Sequence, residues 1–230
     1  MNAAPGLLAS AWTIARKDLA IEFRTRSAFL SALVLSLLAI VIFYFAWDPT
    51  AIRATDLAPG VLWVTFTFSG LLGLHRSFGV EQHDGAMDAL LVAPVPRESI
   101  FLGKALANLA FVLGVQAVAL PAVALFYNLP LDGRAFALLA GVMVLAALGL
   151  VSIGTMFAGM TANTRLAELL LPVLALPFFV PIVMPAAKLT AAVLAGRPFG
   201  EAVAWLRILL AFDLVFAYVC MLVFPFTLDD

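Results

Sequence analysis

Residues 27–47 carry no charged side chain, and further charge-free runs follow at 57–74, 105–131, 135–164 and 169–187. A bilayer core of about 30 Å is crossed by roughly 20 apolar residues in helical form. In water each such helix would need burial on all sides, and a chain of 230 residues with so many of them has too little polar material to provide it. Composition shows the shortage: 64% of the residues are hydrophobic and 12% charged, where soluble domains hold about 45–50% and about 25%. A soluble globule is excluded. A net charge of −1 offers no basic face for nucleic acid either.

The sequence therefore predicts an all-α integral membrane protein, one transmembrane domain over residues 1–230. Six transmembrane helices are expected at about 27–47, 57–75, 102–127, 135–160, 167–186 and 204–226. The last contains Arg207 and Asp213. Ahead of the spans, residues 7–26 predict an N-terminal interfacial helix. Leu8, Trp12, Leu19 and Phe23 share one side, while Thr13, Lys17 and Arg24 point away and Arg16 reaches lipid phosphates. Ile14 and Ile21 spoil the pattern, so a cytoplasmic extension of the first span is the competing reading. Positive charge begins only at Arg16 and Lys17, and a removable signal sequence is not expected. Residues 188–205 are half polar and broken by Gly196, Pro198 and Gly200. They predict short extracytoplasmic helices between helices 5 and 6, interfacial or re-entrant.

Lys and Arg set the orientation. With the N-terminus inside, the inner segments hold Arg16, Lys17, Arg24, Arg26, Arg76, Arg97, Lys104 and Arg165, and the outer ones Arg53, Arg134, Lys188, Arg197 and Arg207. Both termini are expected in the cytoplasm.

Three features stand out as candidates for function. In the segment 79–98, Glu81, Asp84 and Asp88 surround Gly85, followed by apolar Met87, Leu90 and Leu91 and a stop at Pro94 and Pro96. Apolar residues that should face water point to a docked protein partner, against the alternative of a solvated connection. The fifth span holds Pro172, Pro177, Pro181 and Pro185, the last three at four-residue spacing. Each removes a backbone hydrogen bond, which makes either a hinge lining a transport path or a packed kink. Asp213 is expensive in lipid and should face protein or water, as should Arg207 unless it reaches the outer interface. Gly149, Gly154 and Gly159 read as close helix-packing points.

Catalytic chemistry finds no support. The only Gly-Lys pair, Gly103-Lys104, has Glu98 where a phosphate loop needs its first glycine and Ala105 where it needs a hydroxyl. One cysteine, Cys220, excludes a disulfide framework and multi-thiolate metal sites, and His75 and His83 read as interfacial polar residues rather than haem ligands.

The run Ala58-Pro59-Gly60-Val61-Leu62-Trp63-Val64 precedes Asp84-Gly85 with Asp88, Leu90, Leu91, Pro94, Pro96 and Gly103-Lys104. Together with Leu171-Pro172, Leu176-Pro177, Val180-Pro181 and Gly159-Met160-Thr161, this resembles the CcmB family, the permease subunit of the cytochrome c maturation haem exporter. His75 departs from the acidic or polar residue usual there. The resemblance implies a type-2 ABC exporter fold in the bacterial inner membrane, with a cytoplasmic coupling helix after the second span. It implies an ATPase subunit CcmA, partners CcmC and CcmD, the haem chaperone CcmE and a second copy of the chain. It also implies that Glu81, Asp84, Gly85, Met87, Asp88, Leu90 and Leu91 form the ATPase-coupling interface. ATP would be bound only by the partner, no cofactor held covalently, and haem handled as cargo or ligand. A generic type-2 permease for lipid or drug, and a non-transporting assembly subunit, are the alternatives.

Overall fold

A computed structural model describes residues 6–83, 95–162, 164 and 166–227. Seven helices fill them: α1 (Leu7–Thr25), α2 (Ser27–Ala46), α3 (Ala54–His83), α4 (Arg97–Phe126), α5 (Gly133–Thr161), α6 (Ala167–Leu194) and α7 (Phe199–Thr227). Helices α2 to α7 are each long and apolar enough to cross a bilayer. Six consecutive crossings leave one end of the bundle with both chain termini, here the terminal end. The opposite, hairpin end holds the connections 47–53, 127–132 and 195–198.

An elbow joins α1 to α2. Arg26 adopts a left-handed conformation (φ 54°), and its amide bonds back to the Glu22 carbonyl. The Glu22 carboxylate then accepts the Phe29 amide at 2.8 Å, filling one of the donors that the first turn of α2 leaves open. Helix α1 has three faces. Ser10, Ala11, Ile14 and Ala15 are buried, Leu8, Trp12 and Phe23 are exposed and apolar, and Thr13, Arg16, Lys17 and Arg24 are exposed and polar. That division suits a helix lying at the interface, packed sideways on protein. Ile14, which breaks a two-faced pattern, belongs to the protein face.

Helix α2 buries only Ala28, Ala32, Ser36 and Ile40, a stripe at four-residue spacing, and leaves Leu30, Leu35, Leu37 and Leu38 outward. Helices α3 and α5 form the interior. Three glycines let α5 approach its neighbours: Gly149 faces Asp213 and Ile182, Gly154 faces Leu74, and Gly159 faces Phe224. At the hairpin end Tyr44, Trp47 and Tyr127 cluster with ring centroids 5.4–6.3 Å apart, and the Trp47 indole donates to the Ile52 carbonyl at 2.8 Å. Aromatic rings with one polar tip favour this depth of a bilayer.

Residues 188–205 do not form separate short helices. Helix α6 continues to Leu194, and after a turn holding Gly196 at φ +62° the chain re-enters as α7 at Phe199. The alanine-rich stretch 186–195 is a strong helix former, and Lys188 is exposed, so its charge leaves the seam without breaking the helix. Helix α3 runs on to His83, and α4 starts at Arg97.

Candidate functional site

At the terminal end, α1, α3 and α4 meet around two consecutive residues of α4. A side chain at Gly103 would stand 2.7 Å from the Ala11 carbonyl and 2.7 Å from the Ile14 Cβ, so glycine is what lets α1 lie flat on α4. The next residue, Lys104, is 1% exposed. Its ammonium forms an ion pair with Asp18 at 3.2 Å and donates to the Ser77 carbonyl at 2.6 Å. Close by in the fold, Phe101 packs on Phe224 with centroids 5.3 Å apart, and Arg97 donates to the Pro225 carbonyl at 3.4 Å. The end of α7 is thereby tied to the start of α4. These contacts surround the point where the chain leaves α3 and enters α4. Glu81 lies in the last turn of α3. Asp84, Gly85, Met87, Asp88, Leu90 and Leu91, the other residues expected at the coupling interface, fall outside the described residues.

All four prolines lie inside α6, which remains one helix through them. Successive prolines four residues apart are rotated by about 40° around the axis, so the ladder winds instead of opening a single seam. Pro177 is exposed, Pro172 and Pro181 half-buried, and Pro185 buried. The carbonyls deprived of a donor belong to Val173, Pro177 and Pro181 for the last three prolines.

The interior carries a few polar pairs. Trp63 of α3 donates its indole N–H to the Thr190 hydroxyl of α6 at 3.0 Å, and Asn108 of α4 donates to Thr155 of α5 at 3.0 Å. Asp213 of α7 has no such partner. It is 7% exposed, and neither carboxyl oxygen has a hydrogen-bonding group. Arg207, six residues earlier, points outward, so the two do not meet. Pro181 adjoins Ile182, which lies beside Gly149 and Asp213. The proline ladder and the buried carboxyl therefore share a neighbourhood.

At the hairpin end a half-open groove of about 690 Å³ runs between the start of α5 and the turn joining α6 to α7. Leu138, Val142 and Leu189 form apolar walls, with Arg134 and Arg197 also lining it. Asp132 lines it too, but its carboxylate is engaged as the N-cap of α5, accepting the Ala135 amide at 2.6 Å. In the loop before α3, Thr50 holds the Asp48 carboxyl below the usual carboxylate range through its hydroxyl and amide. Asp56 raises Arg53 through a two-point hydrogen bond. Among the described residues no three His, Cys, Asp or Glu side chains group as a metal site.

Reading the sequence singled out Asp213 and the prolines; Trp63 and Gly103-Lys104 entered only as parts of a motif, and Asp18 and Thr190 not at all. The partners of Trp63 and Lys104 lie far away along the chain, so their contacts were not foreseen. The signal that could have found Lys104 was the break it makes in an otherwise apolar helix start.

Six long apolar helices and a sidelong helix at the terminal end define a multi-pass, all-α membrane protein. The particular family follows from comparison: the family profile described as CcmB protein matches residues 9–229, and the chain belongs to that family. Among its relatives, Heme exporter protein B of Paracoccus denitrificans (strain Pd 1222) is 33% identical over 165 residues, covering 72% of this chain and 75% of that protein. Heme exporter protein B of Rhodobacter capsulatus is 31% identical over 173 residues, 75% and 78% of the two chains. The Pseudomonas aeruginosa protein of that name is 30% identical over 195 residues, 84% and 85%.

Proposed function

We propose that this chain is the membrane permease subunit of a haem-export complex, acting with a separate ATPase subunit in cytochrome c maturation. The observation that carries the reading is the match to the CcmB family along nearly the whole chain, joined to relatives named Heme exporter protein B. The chain has no phosphate loop, so ATP is consumed by a partner, CcmA, docked on the segment between α3 and α4. Glu81, Asp84, Gly85, Met87, Asp88, Leu90 and Leu91 supply that contact. The Lys104–Asp18 ion pair and the Arg97 and Phe101 contacts stand where a push on that segment passes into α1 and α7. In this reading the terminal end faces the cytoplasm, where eight of the thirteen Lys and Arg residues of the chain lie. CcmC, CcmD, the chaperone CcmE and a second copy of the chain complete the complex, and ATP hydrolysis drives either haem export or release of haem-loaded CcmE.

Reconstitution tests it. Proteoliposomes holding the complex are loaded with radiolabelled haem, and transport and CcmE release are followed with and without ATP. ATP-dependent movement of haem or release of CcmE is the expected result. If neither depends on ATP while the ATPase still binds, the coupling reading fails.

A further inference from the structure

Apart from Asp213, the stretches 27–47, 57–74, 105–131, 135–164, 169–187 and 208–226 contain no Asp, Glu, Lys or Arg. Asp213 is thus the one charge-bearing residue in the apolar depth of the spans. It is the central residue of α7, and it lies against Gly149 and Ile182, near the middles of α5 and α6. Three mid-helix residues meeting at one point put the carboxyl near the bilayer midplane.

The fit is specific. A Cβ at Gly149 would collide with the Asp213 Oδ1, and it would also stand 2.8 Å from the Ile182 Cδ1. The carboxyl therefore occupies the notch that the glycine leaves, and Ile182 closes the side. Asp213 belongs to the buried stripe of α7, in line with Leu209, Cys220 and Phe224. Helix α5 has no titratable side chain beyond Arg134 at its start. On α6 the nearest is Lys188, more than one turn from Ile182 and exposed, with Glu168 at the far end. On α7 itself Arg207 points outward, Tyr218 is exposed, and Cys220 lies about two turns away. Among the described residues no group donates a hydrogen bond to either Asp213 oxygen.

A carboxylate shut into such a place loses its hydration with nothing in return, a cost of several kcal/mol. The neutral acid escapes most of that cost. We infer that Asp213 is a proton-binding site at the bilayer midplane, occupied while α7 is seated on α5 and emptied when that seam admits water. On opening, the carboxyl O–H bond breaks, the proton passes to an entering water, and a hydrated carboxylate remains. Intramembrane ionisable residues with this placement mark proton or ion pathways. The inference stands apart from haem: it concerns the seam between α5 and α7 whatever the permease carries.

Infrared difference spectra of the full chain in nanodiscs, wild type against Asp213→Asn, read the proton directly. At about pH 7 an aspartate in water is ionised. The expected difference is one carboxylic-acid carbonyl stretch present in the wild type and absent from Asp213→Asn. A difference holding only carboxylate stretches overturns the site. Gly149→Ala, which pushes α7 outward, and Ile182→Ala, which opens the covering side, are expected to speed deuterium exchange of that acid band or convert it to carboxylate. A band as protected as the wild type's in both variants overturns the link to the seam. Neither readout depends on transport or on the partner subunits.

Discussion

The Lys104 ammonium sits 3.2 Å from the Asp18 carboxylate, joining the middle of the interfacial helix to the first turns of α4. The two side chains are unequally shielded, 1% exposed for Lys104 and 15% for Asp18. The lysine also holds the Ser77 carbonyl near the end of α3. Three elements are thus fastened at one charge, beside the connection from α3 to α4.

That asymmetry predicts unequal penalties. Asp18→Asn takes the carboxylate away from a fully buried ammonium and should cost about 3–5 kcal/mol. Lys104→Met leaves a partly solvated carboxylate and should cost less. The double variant should recover much of the loss, because the buried ammonium is then gone together with the carboxylate it faced. Thermal unfolding of the purified protein in one detergent gives the cycle. An Asp18→Asn variant as stable as the wild type would show that the pair holds nothing together.

Trp63 and Thr190 link α3 to α6 through one buried bond at 3.0 Å, while the Thr190 hydroxyl itself donates to the Ala186 carbonyl. Thr190→Val keeps the shape but orphans the indole N–H, at a cost of about 1–3 kcal/mol. Trp63→Phe removes the donor as well, so adding it to Thr190→Val should cost less than the two changes summed. Strictly additive losses in denaturant titrations would mean the bond contributes no coupling.

The spans were legible because lack of charge over some twenty residues is a one-dimensional signal that lipid enforces. The course of 188–205 was not, because Lys188 and the breakers looked like interruptions when read in line. In three dimensions the lysine points away, and only Gly196 bends the chain. Asp213 announced itself by its cost, yet its place depends on a glycine on another helix that no local pattern connects to it. Gly103-Lys104 was visible as a motif, while its physical meaning needed α1: the glycine admits the helix and the lysine anchors it.

Leu90 and Leu91 carry the prediction for the ATPase contact. Under the proposed docking they act as interface anchors, and such residues reach roughly 2–4 kcal/mol each on truncation. Leu90→Asp with Leu91→Asp should therefore detach the ATPase subunit while the permease still inserts. Co-purification of the two subunits at wild-type yield after this change would remove the segment from the interface.

The prolines of α6 can be separated by their surroundings. Replacing Pro177, Pro181 and Pro185 with alanine restores a donor for the carbonyls of residues 173, 177 and 181, and proline costs about 3 kcal/mol in a helix interior. A packed kink needs the buried ring of Pro185 and is indifferent to Pro177, which is exposed. A hinge needs the weakened backbone and is sensitive to both. Pro177→Ala alone thus loses little packing yet stiffens α6 just before Ile182, the residue covering Asp213. Under the proposed function the expected outcome is normal assembly with the ATPase but slower release of haem-loaded CcmE per mole of complex. Pro185→Ala should slow turnover as well and also lower the yield of folded protein. Were Pro177→Ala to turn over like the wild type while Pro185→Ala lost only yield, the ladder would be packing and α6 would move as a rigid rod.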